Sequence, residues 1–459
     1  MPLKNNITTF SLVVIGITGV FSIGEIPIAA QYGLSSVVYY LITGLLFFVP
    51  SALVCAELAS GWPKAGGIYA WIKEAFGIKI GLFAMWIEWL NNLIAFPVIL
   101  AFIVITISYV TFPLLQSNKY YMLLAMLIIF WTLTIINFLG IRVSSWINNI
   151  SMVLGAFLPC LLVIFSGVLF YVSNQGISAQ HALKFATPQN IHYYSLLTSL
   201  VLSYTGIQVI AFHTKDIEDP EKVYPKAILI ITAILLVLSI FSSLAVAYVI
   251  PNNNIDIIVG LIQAMQAFFT KLHLRGIVTP IILFIALGRI GALNVWIVGP
   301  AKGMLAIAND INVPNVIRFR NRYDAPITIL TIQAVITTIL SSAYLFMPTV
   351  ASAYWLLIVM STGLTLILYM LMFSSIIYLR YKQPFVQRTY QLPGGKVGVW
   401  LIAGIGFSIS LMVFLLSFIP PAQLNIKGNF FNLVYAGALF IIFIFFYLFI
   451  RNTKVKINQ

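Results

Sequence analysis

The chain has 459 residues, 61% of them hydrophobic and 8% charged, with a mean hydropathy of +1.03. A soluble domain carries about 25% charged and about 45–50% apolar residues, and even a large one leaves too much surface in water to hide such an excess. Composition therefore excludes a soluble enzyme, a disordered chain and a disulfide scaffold, and requires a polytopic membrane protein. The net charge of +14 would suggest nucleic acid in a soluble protein; here it reads as loop charge that holds topology, with the lipid bilayer and no nucleic acid as partner.

Apolar runs lie at about 7–31, 36–60, 79–113, 121–139, 147–172, 195–214, 226–250, 277–308, 326–347, 350–379, 397–419 and 430–450. Each is long enough for a span of roughly 20 residues, so twelve transmembrane helices are predicted in a single domain covering 1–459. The first run has no cleavage pattern and is read as a retained span. Between the seventh and eighth runs, Pro251 to Asn254 break the chain and Ile255 to Phe269 read as a short surface helix. With the N-terminus inside, nineteen of the 25 basic residues fall on its side, five (Lys119, Lys184, Lys271, Arg275, Lys427) on the other, and Arg289 within a span. That asymmetry predicts cytoplasmic termini and an even span number. Cys55 and Cys160 both lie in apolar runs, too isolated for a disulfide framework or a metal site.

The first run holds Gly16, Gly19, Gly24, Glu25 and Pro27 within twelve residues. Gly and Pro weaken the helical ladder, and exposed backbone groups at membrane depth are tolerated where they line a cavity. Half-helix ends there would suit an amino or carboxylate group; the alternative is close packing through small residues. The sixth run contains Ser203-Tyr204-Thr205-Gly206 and Gln208, a second polar and breakable cluster. Paired interruptions at corresponding places of two halves point to a transport site.

Among the charged residues within apolar runs, Glu25, Glu57, Glu88 and Arg289 are the candidates. Such a group is a functional candidate by default. Glu25 adjoins the first break and is the leading candidate for proton or charge coupling, with Glu88 and Arg289 beside it in that role. Glu57 sits near a span end and reads as a structural ion pair. Glu88, Asn91 and Asn92 form a stripe at i, i+3 and i+4; Glu88 either lines a cavity or pairs with Arg289. Trp296, Trp355, Tyr354 and Tyr204 are candidates to stack on a ligand or to pack. The four histidines lack metal-ligand spacing, there is no phosphate-binding loop, and Arg318-Phe-Arg320-Asn-Arg322 reads as lipid-headgroup contact. Neither catalysis nor a cofactor or metal is expected.

At these residues the chain resembles the amino acid–polyamine–organocation superfamily of secondary transporters, and more narrowly the bacterial glutamate/γ-aminobutyrate antiporters. The matching segments include Glu25-Ile-Pro27, Cys55-Ala-Glu57, Ala65-Gly-Gly67, Ser203-Tyr-Thr-Gly206, Asp219-Pro220, Tyr224-Pro225, Trp296-Ile-Val-Gly299-Pro300, Gln391-Leu-Pro393-Gly394-Gly395 and Ser417-Phe-Ile-Pro420-Pro421. The resemblance implies an all-α fold of two inverted five-helix repeats (1–172 and 195–380), with spans 1 and 6 unwound at the substrate site and two extra helices (397–450). It implies ATP-independent transport of an amino acid or its decarboxylated amine, by antiport or proton symport. A sensor that binds without transporting is a third reading. The substrate-holding positions carried over are Ser22, Ile23, Gly24 and Glu25 in span 1 and Ser203, Tyr204, Thr205 and Gly206 in span 6, with Gln208, Asn91 and Trp296 nearby. Two positions depart from the pattern: Gln208 stands where antiporters of the superfamily often have Glu, and Ala292 where the acid-resistance antiporter is acidic. The chain stops at Gln459, without that antiporter's long C-terminal plug. Monomer and homodimer both fit the sequence.

Overall fold

The computed structural model describes residues 9–21, 23–63, 67–139, 158–172, 196–208, 219–250, 255–256, 258–307, 315–323, 325–420 and 428–452, and these are helical with no strand. The first run forms α1 (Thr9–Val20), a 3₁₀ turn (Ile23–Glu25) and α2 (Ile26–Ala30). Next come α3 (Ser35–Gly61), α4 (Ile68–Phe76), α5 (Ile78–Thr111), α6 (Lys119–Phe138), α7 (Leu158–Val172), α8 (Leu196–Leu202) and α9 (Pro220–Val249). The remainder is α10 (Gly260–Lys271), α11 (Arg275–Ile307), α12 (Ile327–Ser341), α13 (Val350–Lys382), α14 (Gly395–Leu416) and α15 (Gly428–Asn452).

Nine of the described helical segments are long and apolar enough to cross a membrane, and each coincides with one of the twelve apolar runs. The three runs not among them are the interrupted first run, 147–172 and 195–214, the last two lying partly outside the described residues. At twelve residues α10 is too short to span a membrane. It is not the surface helix expected from sequence: Leu261, Ile262, Met265 and Phe268 are buried, because its apolar face packs on α9, α11 and α7. Gln31 Nε2 donates to Ile255 O (2.9 Å), and Tyr109 donates to Gln266 Oε1 (2.7 Å), so α10 and its leading segment close over the end of α2.

Two helices form the middle of the bundle. The best spanning windows of α5 and α13 are each 72% buried, against 28% for α14 and 17% for α15, so the last two helices lie on the periphery. α5 packs along both α11 and α13, and α9 packs along α3, α7 and α1. In α3 the ladder widens to a π turn at Gly44–Phe48, just before Pro50. Proline has no N–H to donate and its ring crowds the carbonyl four residues back, so the widened turn relieves the clash. The Ser51 hydroxyl donates to Phe47 O (2.6 Å) and helps satisfy the loosened ladder.

One end of the bundle is tied by ions. Glu57 of α3 is fully buried. Its carboxylate takes hydrogen bonds from Arg380 Nε (2.5 Å) and Nη2 (2.7 Å) of α13 and from the Leu392 backbone N–H (2.8 Å), with Arg388 Nε at 3.6 Å. The Arg388 guanidinium also lies over the Trp62 ring (5.1 Å) and donates to Gln383 O (2.8 Å). Burial lowers Arg388 from its ordinary pKa, and the Glu57 charge raises it. The structural ion pair read for Glu57 is therefore present, with two arginines rather than one. Breaking a buried, hydrogen-bonded pair from one side costs about 3–5 kcal/mol, because the other charge is stranded. Glu57→Ala should destabilise the folded protein by that order, and Glu57→Ala/Arg380→Ala by less than the sum of the single changes. Unfolding in mixed detergent measures both, and additive effects would show that the pair is uncoupled.

Candidate functional site

Each central helix turns one stripe of residues inward. On α5 the stripe is Glu88, Asn91, Asn92, Ala95 and Ile99; on α11 it is Arg289, Ala292 and Trp296; on α13 it is Ile358, Ser361 and Thr365. Spacings of three and four residues place each set on a single helix face. The stripes enclose a cavity of about 130 Å³, completed by Val20, Phe21 and Glu25 from the break in the first run and by Leu202, Thr205, Gly206 and Gln208 from the end of α8.

The break in the first run and the end of α8 both reach this cavity. Beyond Val20 the chain keeps one more helical bond, Phe21 N–H to Ile17 O (2.8 Å), before the 3₁₀ turn that carries Glu25. At the end of α8 the ladder tightens, with Tyr204 N–H bonded to Val201 O and Thr205 N–H to Leu202 O. Gly206 follows with φ of +107°, a conformation that side chains disfavour. Its N–H donates both to Gln208 Oε1 (3.1 Å) and to the Tyr369 hydroxyl (3.1 Å), and Tyr369 O–H donates to Gln208 Oε1 (2.6 Å). The Gln208 carbonyl oxygen is thereby fully engaged, and its amide N–H₂ is turned to the Glu88 carboxylate. The ends of α1 and α8 also present last-turn carbonyls, a region of partial negative charge.

The charged groups are arranged unequally. Arg289 packs against the first break: a Cβ on Gly24 would stand 3.2 Å from its Nη2 and 3.6 Å from the Tyr354 hydroxyl, so glycine here gives the guanidinium a close approach to the backbone. The Phe102 ring lies 5.1 Å from the guanidinium carbon, and Glu25 and Tyr354 act on it electrostatically. Across the cavity Glu88 is 1% exposed. Asn91 accepts a hydrogen bond from Ser361 at Oδ1 (2.5 Å), which leaves its N–H₂ to donate elsewhere. Two carboxylates, one guanidinium, amides and hydroxyls among apolar walls suit a small molecule bearing both an ammonium and a carboxylate.

Of the residues singled out from sequence, Glu25, Glu88, Asn91, Thr205, Gly206, Gln208, Arg289 and Trp296 line this cavity. Ala292 does too. Ile23 and Gly24 sit behind Glu25 and do not line it, and Ser22 is outside the described residues. Ser203 bonds back to Leu200 O (2.7 Å). Tyr204 points away, fully buried, stacked on Phe48 (4.6 Å between centroids) and edge-on to Tyr40. Trp355 and Tyr354 are likewise buried outside the lining. Sequence reading missed Ser361, Thr365 and Tyr369, although their spacing of four residues puts them on one face of α13.

With this geometry in view, comparison with known proteins is informative. The family described as amino acid permease matches residues 7–450. An uncharacterized transporter of Legionella pneumophila is 35% identical over 96% of both chains. A glutamate/gamma-aminobutyrate antiporter of Lactococcus lactis is 29% identical over 92% of this chain and 85% of its own. A probable agmatine/putrescine antiporter of the same species is 26% identical over 57% and 56%.

The division between cavity-lining and packing residues can be checked chemically. Cys55 and Cys160 are free and buried, so the wild-type background is low. Thr205→Cys and Asn91→Cys should react with a small methanethiosulfonate at least about tenfold faster than Tyr204→Cys, read as mass shift against time. Equal rates would place Tyr204 in the cavity.

Proposed function

Because the chain belongs to the amino acid permease family and is a multi-pass membrane transporter, we propose that it is a secondary active transporter. It exchanges an amino acid for a related amino acid or its decarboxylated amine, by alternating access and without ATP. The observation that carries this reading is the meeting of the first break and the end of α8 at one charged, partly apolar cavity between α5, α11 and α13. Such breaks are tolerated only where protein or a cavity takes up the freed backbone groups, and in transporters they mark the substrate site. The named activities of the Lactococcus relatives agree with an amino acid or amine as cargo.

Substrate contacts are assigned to Glu25, Asn91, Thr205, Gly206, Gln208 and Trp296, backed by Ser22, Ile23, Gly24, Ser203 and Tyr204. Charge coupling is assigned to Glu25, Glu88 and Arg289. Two inverted repeats (1–172 and 195–380) with helices from 397–450 outside them supply the moving parts. The nineteen-to-five division of basic residues supports a plasma-membrane orientation with both termini in the cytoplasm. The two cavity carboxylates also favour a second reading, proton-coupled symport.

Purified protein in liposomes should take up labelled amino acids saturably, and faster when the lumen is preloaded with the substrate or its decarboxylated amine. No saturable flux across a panel of amino acids and amines rules transport out; flux that preloading does not accelerate selects symport. Glu25→Gln removes the carboxylate beside Arg289, and should lower uptake about tenfold or more and displace its pH optimum. An unaltered pH profile removes Glu25 from the coupling role.

A further inference from the structure

Resting on the transport reading above, we propose that Glu88 sets the net charge of the cargo: it takes the surplus ammonium of a net-positive substrate, or a proton when the substrate is net-neutral. The cavity holds Glu25, Glu88 and Arg289, so its ionised side chains sum to one negative charge. Arg289 lies toward the first break, where Glu25 acts on it. Glu88 has no such neighbour, and among the described residues it forms no ion pair. Its Oε2 is buried without a hydrogen-bond partner, and the group it meets is the neutral amide of Gln208.

That amide cannot turn to offer anything else, because its oxygen is held by Tyr369 O–H and Gly206 N–H. Among the described residues, the titratable and charged groups facing Glu88 are Tyr369 from α13 and, across the cavity, Glu25 and Arg289; the segment after α8 brings the neutral amide of Gln208. A carboxylate enclosed in a helical bundle with no cation costs several kcal/mol. Something entering the cavity has to neutralise it. A substrate ammonium does so directly, and a proton does so when the cargo brings no net charge. The chemistry is proton transfer from bulk water to one carboxylate oxygen, with no other bond made or broken. A net-negative cargo would have to enter with more than one proton, which ranks cargo as net-positive, then net-neutral, then net-negative.

The test uses the full chain in liposomes and a panel of labelled amino acids and amines, sorted by the net charge of those the wild type carries. Uptake of net-neutral cargo should fall as pH is raised from about 6 to about 8, approaching tenfold per unit once the carboxylate is mostly ionised. Net-positive cargo should not fall. Glu88→Gln should flatten the first profile and reduce net-positive uptake at least about tenfold relative to net-neutral uptake, while Glu88→Asp keeps the pH slope. Monodisperse elution and an unchanged melting temperature separate these effects from misfolding. In parallel, titration calorimetry in buffers of different ionisation enthalpy should show proton uptake with net-neutral cargo in the wild type and none in Glu88→Gln. Wild-type flux whose pH slope and charge preference survive Glu88→Gln overturns the role of Glu88 and leaves the transport reading standing. Absence of any flux or binding overturns both.

Discussion

A guanidinium inside an apolar helical bundle has to be compensated, and much of this architecture is arranged around Arg289. It sits mid-length on α11, beside α5, and its charge meets Glu25, the Phe102 face and Tyr354. Glu25 comes from the 3₁₀ turn of the first run, Phe102 from α5 and Tyr354 from α13. On the backbone as it stands, a Cβ at position 24 would crowd the guanidinium at 3.2 Å, so glycine keeps the two close. The 3₁₀ turn that brings Glu25 inward is therefore one solution to two demands, a place for the cation and an outlet for the interrupted ladder. The cavity is what remains between the break, α8 and the stripes of α5, α11 and α13.

The end of α8 is held by a different device. At the end of α8 a single glycine with positive φ turns the chain, and a tyrosine from α13 occupies the N–H that the turn exposes. The same hydroxyl fixes Gln208, so one side chain from a distant helix determines both the backbone donor and the face of the amide. Polar order here is made by hydrogen bonds between neutral groups, while at the first break it is made by charge. The two ends of the cavity consequently differ in what a ligand would meet.

Much of this was legible in sequence, for identifiable reasons. Apolar runs report spans because lipid-facing and core-facing residues are both apolar, and nine described helical segments coincide with such runs. Glu88 and Asn91 were legible because polar groups at i and i+3 in an apolar span are costly unless they share a wet face. Ser361 and Thr365 were missed because a hydroxyl can bond to its own helix, as Thr365 does to Ser361 O, and so raises no alarm. Tyr204 stood out because it adjoins Thr205 and Gly206, but where the chain turns the ring faces Phe48 and not the cavity. Only tertiary contacts decide that. The helix at Gly260–Lys271 was legible as a short helix and misjudged in burial, since its cover comes from its neighbours in sequence, α9 and α11, folding back on it and from the remote α7.

The clasp at Glu57 bears on how the chain is built. Its carboxylate and the Arg380 guanidinium are 323 residues apart in sequence, so during synthesis α3 emerges long before its counter-ion exists. A translating chain lengthens at about 5–20 residues per second, which leaves Glu57 waiting tens of seconds or so. Until then the carboxylate lacks the guanidinium that compensates it in the folded bundle. The last turn of α13 and the loop to Leu392 then arrive together with the described donors to the Glu57 carboxylate. Closure of this end of the bundle is therefore a late step of biogenesis, since it needs α3 and the last turn of α13 together.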